Sequence, residues 1–301
     1  MTSKTIEIVE VGPRDGLQNE KTSLPVVAKI ELIGRLEACG VKRIEAVSFV
    51  NPARVPQMAG AEEIMAALPP GPVSRIGLVL NMRGWDRCVA AACQEANVVV
   101  CATDGFGIRN QGASTAEQLA TMRAVVDKQA REGGPPITIT VSVAFGCPFE
   151  GEVDPAHVID IVRQAADVGV GEIALADTIG VADPWRVRSL IAAARNAAPK
   201  ARLRMHFHDT RNTGIANAFA SVEEGVGVLD ASVGGLGGCP FAPAATGNIA
   251  TEDLVYMLER AGYSTGLDLD GLIATGRWVG EQLGKHAPSA LSKAGPFPPR
   301  V

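Results

Sequence analysis

One pattern constrains this chain more than any other. A short run of β-branched and apolar residues is followed by a helical stretch, and the pair recurs eight times. The strand-like runs are Ile6–Val11, Arg43–Val50, Arg75–Leu80, Asn97–Cys101, Ile137–Ala144, Glu172–Ala176, Leu203–His208 and Val228–Ser232. Several are nearly continuous in apolar residues, as parallel strands covered outside by helices must be. Between them, Val27–Cys39 places Ile30, Ile33 and Leu36 on one side, with Gly40 as a C-cap. Asp154-Pro155 and Asp183-Pro184 each read as an N-cap with Pro at the first helical position. Thr115–Arg131 and Asn212–Glu224 are further helical stretches. Eight alternating units predict an α/β fold closed as a (β/α)8 TIM barrel. A doubly wound open sheet is the alternative, but no GxGxxG follows the first strand. From about residue 251 the pattern changes to two helices, Glu252–Arg260 and Leu269–Leu283, which read as a C-terminal helical extension of one catalytic domain spanning 1–301. Ser289–Val301, rich in Pro, Ser and Lys, reads as a loose tail.

Composition narrows the function classes. With 301 residues and 47% hydrophobic content, the chain can bury a large core and is too apolar for disorder. Its length divided by a typical domain would suggest two domains, but barrels routinely run longer as one unit. A net charge of −5 without a basic run argues against a nucleic-acid partner. The six cysteines form no CxxC pair, which in a chain of this length reads as reduced thiols. Cys39, Cys88, Cys93 and Cys101 read as small core fillers, and Cys147 as a neighbour of the site. The first residues lack the apolar run of a signal peptide, and no apolar stretch approaches the length that spans a membrane. No membrane partner is expected, and the cytoplasm is the expected location.

Catalytic residues of such barrels sit at the C-terminal ends of strands. The first strand runs into Gly12–Lys21, where Arg14 and Asp15 follow the apolar residues directly. A surface turn with a salt bridge would look the same. The second strand carries Glu45 in an apolar frame, with Ser48 and Asn51 nearby. A carboxylate there needs a partner, because burying an unpaired charge is costly. A structural Glu–Arg pair and a site residue both satisfy that. The sixth strand ends at Ala176, Asp177 and Thr178. In the seventh, His206 and His208 are two residues apart, so both side chains face the same way. Two of only four histidines converging on one strand end suggest a metal site more than a packed core. His157 and His286 fall on expected outer helices. After the eighth strand comes Gly234–Gly238, which reads as a phosphate cradle or a mobile lid, and then Cys239. Asn248 precedes a helix and reads as a turn residue or a neutral oxygen ligand.

Taken together, these residues resemble the 3-hydroxy-3-methylglutaryl-CoA lyase family, within a superfamily of metal-dependent barrel lyases and synthases. The resemblance runs from about Ile8 to Leu283. It rests on GPRDGLQNEK at Gly12–Lys21, SFVNP at Ser48–Pro52, VPQM at Val55–Met58 and GCPFEG at Gly146–Gly151. It continues through DTIGV at Asp177–Val181, HFHDT at His206–Thr210, GGLGGCPFA at Gly234–Ala242 and GNIATEDLVYML at Gly247–Leu258. The resemblance implies that Asp15, His206, His208 and Asn248 hold a divalent cation, Mg²⁺ or Mn²⁺. It implies that Arg14 meets the thioester carbonyl, that Glu45 lies behind the ligands and that Asp177 lines the site. Gln18, Ser48 and Arg211 join Arg14 as expected substrate contacts. Cys239 is implied to move a proton from a loop that closes over the substrate. An acyl-CoA thioester is the implied partner, a homodimer one expected assembly, and leucine degradation an implied setting.

The chemistry agrees with the residue types. Cleaving a carbon–carbon bond beside a tertiary alcohol needs loss of the hydroxyl proton and a stabilised thioester enolate. Mixed nitrogen and oxygen ligands suit a hard divalent cation, whereas thiolates would suit zinc. An always-charged Arg suits a developing oxyanion. A Cys on a closing loop suits proton exchange in a dry site. Two departures from the family pattern fall near the barrel mouth. Arg211-Asn212-Thr213-Gly214 stands where the family has Tyr-Gly, and Ala176 stands where it has Gly. They bear on the acyl group more than on the chemistry. Arg211 there is either a contact for a carboxylate or CoA phosphates, or a solvated residue at a helix start. The competing readings are a lyase for citramalyl-CoA or another 3-hydroxyacyl-CoA, a condensing synthase with a longer C-terminal domain, and a non-catalytic binding barrel. Retention of Arg14, Cys239 and the ligand set speaks against the last.

Overall fold

The structure is a computed structural model that describes residues 4–238 and 247–298. Eight parallel strands close into a barrel in sequence order: β1 (Glu7–Glu10), β2 (Arg43–Ser48), β3 (Ser74–Val79), β4 (Glu95–Cys101), β5 (Ile137–Ser142), β6 (Glu172–Asp177), β7 (Arg202–Phe207) and β8 (Val228–Ala231). Closure comes from β1 pairing with β8, where Val9 lies opposite Asp230 and Glu10 opposite Ala231. Around the strands run α1 (Val26–Ala38), α2 (Ala61–Ala67), α3 (Met82–Ala90), α4 (Asp104–Gln111), α5 (Thr115–Glu132), α6 (Pro155–Asp167), α7 (Pro184–Ala197) and α8 (Gly214–Glu223). The expected caps are present. Asp154 and Asp183 accept backbone N–H groups at the starts of α6 and α7, each followed by Pro. Ser114 and Glu117 form a reciprocal capping box on α5.

The main apolar core lies between strands and helices. Inside the barrel Val9, Val11, Ile76 and Val228 form a small apolar cluster, and Leu78 and Val99 line the cavity. The rest of the interior is largely polar. At its N-terminal end Arg43 binds Glu95 and Glu172 together, through Nη2 at 2.5 and 2.7 Å. Higher up sit Arg204, Asp230, Glu45 and Asn97, all buried. Charges at this depth persist because each is paired with another.

Beyond the barrel come α9 (Thr251–Arg260), α10 (Leu269–Gln282) and a short α11 (Ala290–Ala294). The last corrects the expectation of a loose tail. Asp253 on α9 accepts the backbone N–H of Ala290 and Leu291, both at 2.8 Å, and Ser289 caps the turn through Ser292 N. Leu291 is buried. Composition shows Pro and Ser but not the distant carboxylate that caps them. His286 also differs from expectation: it follows the end of α10 and lies in an exposed connection, not on a helix. His157 lies on α6 as expected. Among the described residues, no helix is long and apolar enough to cross a membrane.

Candidate active site

A cavity of about 170 Å³ opens at the C-terminal end of the barrel. A helical turn over Gly12–Gly16 follows β1 and carries Arg14 and Asp15 to the cavity wall. The turn is packed tightly enough to require glycine, since a Cβ on Gly12 would lie 2.6 Å from Glu10 Oε1. Glu10 is the post beneath it. Its carboxylate accepts N–H groups from Gly12 at 2.7 Å and Val233 at 2.9 Å, and the Thr251 hydroxyl at 2.6 Å. Burial, with Glu252 adding like charge, raises the Glu10 pKa to about 7 despite those hydrogen bonds.

The end of β7 and the residue just beyond it deliver the two imidazoles. His206 and His208 point the same way, with ring centroids 5.2 Å apart. Asp15 Oδ2 lies 3.9 Å from His206 Nε2 and 3.6 Å from His208 Nε2. Donor atoms of the three residues all fall within 4.8 Å of one another, as ligands around one cation would. Burial opposes ionisation of Asp15. The Arg14 charge, a hydrogen bond from His208 and the two imidazoles outweigh it and hold the carboxyl well below its ordinary range. Asp15 thus presents an ionised carboxylate at neutral pH. For His206, burial opposes the charged form, but the Asp230 hydrogen bond and the nearby carboxylates win and raise its pKa.

Asn248 reaches the same place. Its strand segment bridges His208, and its Nδ2 donates to Asp15 Oδ2 at 2.7 Å and to Leu236 O at 3.1 Å. Its Oδ1 is buried and has no hydrogen-bond partner among the described residues. Gly237 lies against this amide with φ of +107°, and a Cβ there would sit 2.6 Å from Nδ2. Two imidazoles, one ionised carboxylate and an unspent amide oxygen fit a hard divalent cation, and among the described residues no thiolate joins them.

Arg14 stands beside this cluster. Nε and Nη2 donate to Glu45 Oε2, and Nη1 donates to Asp15 Oδ1. Those bonds use three of the five guanidinium N–H groups, which leaves two for a ligand. Glu45 also accepts Asn97 Nδ2 at 2.9 Å, and Asn97 Oδ1 accepts the Thr140 hydroxyl at 2.7 Å.

The other expected site residues divide. Gln18 lines the cavity, and its Oε1 has no partner among the described residues. Ser48 is buried, and its hydroxyl has no partner among the described residues, but it is not part of the cavity wall. Asp177 turns away from the cavity: its two oxygens accept Val181 N and Ala182 N, each at 2.9 Å. Ala176 and Thr178, on either side of it, line the wall instead. Arg211 donates from Nη1 to the carbonyls of Ile179 and Gly180, and it lines a separate groove with Asp253 and Tyr256. Cys239 lies outside the described residues. Cys147 lies in the loop beyond β5, where its sulfur accepts the Thr103 hydroxyl at 3.0 Å, and it is not part of the cavity wall.

Sequence reasoning missed Asp230, whose Oδ2 lies 3.0 Å from His206 Nδ1. The signal was present: a carboxylate inside the apolar run of β8 is the same oddity that drew attention to Glu45. It also missed Arg204, two residues before His206 and therefore on the same face of β7.

Comparison with known proteins extends this geometry. The family model described as HMGL-like matches residues 5–279. The chain is 43% identical to the (R)-citramalyl-CoA lyase of Chloroflexus aurantiacus, covering 99% of this chain and 97% of that protein. It is 42% identical to the hydroxymethylglutaryl-CoA lyase of Pseudomonas mevalonii, covering 93% of each. Among solved structures, an HMG-CoA lyase from Acenitobacter baumannii in complex with coenzyme A and 3-methylmalate superposes with a TM-score of 0.94. It is 38% identical and covers 100% of this chain and 98% of that one. The fold, the matched span and these identities lead to one conclusion: the chain belongs to the HMGL-like family.

Proposed function

We propose that this protein is a divalent-metal-dependent carbon–carbon lyase that cleaves 3-hydroxy-3-methylglutaryl-CoA to acetyl-CoA and acetoacetate by retro-Claisen chemistry. The observation that carries the reading is the meeting of Asp15, His206 and His208 at one point, with two unspent N–H groups of Arg14 beside them. Relatives at 40–42% identity are named as hydroxymethylglutaryl-CoA lyases, which supports it. The cavity is smaller than the roughly 300–1,000 Å³ of sites that enclose a drug-sized ligand. It therefore takes the acyl end of a long thioester and leaves the rest at the mouth.

Asp15, His206, His208 and Asn248 would hold the cation, with Mg²⁺ or Mn²⁺ the choice the donor set favours. When bound, such a cation polarises the substrate's oxygens and acidifies its hydroxyl. The residues of the chain do the remainder. As the hydroxyl proton passes to water, C3–O becomes a ketone, the C2–C3 bond breaks and its electron pair moves onto the thioester as the acetyl-CoA enolate. Arg14 donates to the thioester oxygen as it gains charge, already aimed by Glu45 and Asp15. Glu45 keeps the guanidinium from swinging away, and Asn97 keeps Glu45 from swinging with it. A proton must finally reach C2 to give acetyl-CoA, and Cys239 is assigned that delivery on sequence grounds. Asp177 shapes the loop after β6 and thereby seats Thr178 on the wall. We assign the helices from 251 onward to the same catalytic unit, because Glu10 on β1 and Thr251 on α9 share a hydrogen bond.

A second reading has its own support: the relative at 43% identity is named a citramalyl-CoA lyase. Its substrate carries the carboxylate on the carbinol carbon itself, one methylene shorter. Incubating the Mn²⁺-loaded protein with both thioesters and following acetyl-CoA release decides between them. Release from 3-hydroxy-3-methylglutaryl-CoA at the higher kcat/KM is expected. Release from neither overturns the lyase assignment. We further propose a cytoplasmic location, in line with the bacterial relatives.

A further inference from the structure

Arg204 and His206 lie two residues apart on β7 and face into the barrel, and β8 sets Asp230 beside both. Arg204 Nε donates to Asp230 Oδ1, and Nη2 donates to Oδ2 at 3.0 Å. The same Oδ2 lies 3.0 Å from His206 Nδ1. Arg204 is fully buried and Asp230 is 4% exposed. One carboxylate, at the floor of the cavity, is therefore shared by a guanidinium and an imidazole with little access to water. The opposite ring nitrogen, His206 Nε2, faces Asp15.

His208 is held differently. Its Nε2 also faces Asp15, but its buried Nδ1 has no hydrogen-bond partner among the described residues. The two imidazoles are thus not equivalent. One ring is fixed at Nδ1 by a charged acceptor, and the other is anchored only from its Nε2 side, at Asp15.

A carboxylate beside Nδ1 selects the tautomer with the proton on Nδ1 and leaves the Nε2 lone pair free for a cation. It does so reliably only if it cannot rotate. The two-point grip of Arg204 supplies that constraint. Arg204 is itself braced from below, with Nη1 3.7 Å from Glu172 in the ion cluster around Arg43.

We propose that Asp230, clamped by Arg204, is the positioning residue of the metal centre. It presents His206 as the preset ligand and leaves His208 as the adaptable one. This rests on the reading of Asp15, His206 and His208 as a cation site. The alternative is that Arg204 and Asp230 only fill the barrel with a satisfied ion pair. Such a pair would affect stability but neither the His206 tautomer nor the metal affinity of the folded protein.

Two measurements separate these. The first is the ¹⁵N imidazole spectrum of metal-free wild-type protein at alkaline pH, where neutral rings report their tautomer. His206 should carry its proton on Nδ1, and a proton on Nε2 overturns the proposal without any variant. The second is Mn²⁺ titration of metal-free wild type and Asp230→Asn, with thermal unfolding of each recorded without metal. Affinity should fall by roughly 10–100-fold in the folded variant, the range seen for such outer partners. Unchanged affinity overturns the proposal while leaving the cation site intact. A wild type that binds no Mn²⁺ overturns the cation site, and this proposal with it. Should Asp230→Asn fail to fold, the wild-type spectrum decides alone.

Discussion

The guanidinium of Arg14 grips one oxygen of Glu45 with two N–H groups, Nε at 2.9 Å and Nη2 at 2.5 Å. Its third bond, Nη1 to Asp15 at 2.7 Å, ties the same cation to a proposed metal ligand. A side chain held on three sides keeps its remaining donors in a fixed direction, and that preorganisation is what oxyanion stabilisation requires.

Arg14→Gln should therefore lower kcat for acetyl-CoA release by about 10²–10³, the scale of losing one oxyanion donor. Metal stoichiometry should be preserved, while the unfolding midpoint should fall because buried Glu45 loses its charged partner. Steady-state kinetics with metal analysis checks this, and a near-normal rate removes Arg14 from the proposed role.

The metal assignment makes a thermodynamic claim independent of turnover. A cation at 100 times its Kd stabilises the fold by about 2.7 kcal/mol if only the native state binds it. Differential scanning with and without saturating Mn²⁺ should show that gain in wild type and lose it in His206→Ala. Chelation should abolish acetyl-CoA release, and added Mg²⁺ or Mn²⁺ should restore it. Stoichiometric Mn²⁺ in purified His206→Ala would mean that the ligand set is wrong.

Glu10 predicts a pH dependence of stability. Burial raises its pKa in the folded protein to about 7, from 4.5 when exposed. The folded state thus binds the extra proton between those values, and stability falls as pH rises through that window. The difference amounts to about 3 kcal/mol. Glu10→Gln imitates the protonated form and should remove this component. Urea unfolding of both proteins at pH 4.5 and pH 7.5 measures it. Parallel pH profiles would refute the shift.

Asp177→Asn tests the loop after β6. The carboxylate satisfies Val181 N and Ala182 N with separate oxygens. An amide offers one acceptor, so one buried N–H is stranded at a cost of roughly 1–3 kcal/mol. The loss should appear in the denaturant midpoint. A fully stable variant would mean that the loop does not depend on this bond.

Much of this was legible in the sequence, for identifiable reasons. The barrel announced itself because parallel strands covered by helices leave continuous apolar runs between amphipathic ones. His206 and His208 stood out because a two-residue spacing on a strand has only one geometric meaning. Asp177 was placed on the site by its position at a strand end. The same two-residue alternation would have turned it away, since Ala176 and Thr178 take the inward places. Arg204 and Asp230 were passed over because each was judged within its own strand, and their meaning arises only when β7 and β8 are adjacent. The capped tail was missed for a related reason: Asp253 and Ala290 are 37 positions apart.

The ionic filling of the barrel has a consequence for how this protein varies. Arg43 pairs with Glu95 and Glu172, and Arg204 pairs with Asp230 while also approaching Glu172. Removing one member strands a buried charge, whereas replacing a complete set with apolar residues of similar volume is often neutral or favourable. Single substitutions at these positions are therefore barred while coordinated ones remain open. Along a lineage of such barrels, these residues should be inherited or lost as blocks, and an engineer who edits one of them must edit its companions in the same step.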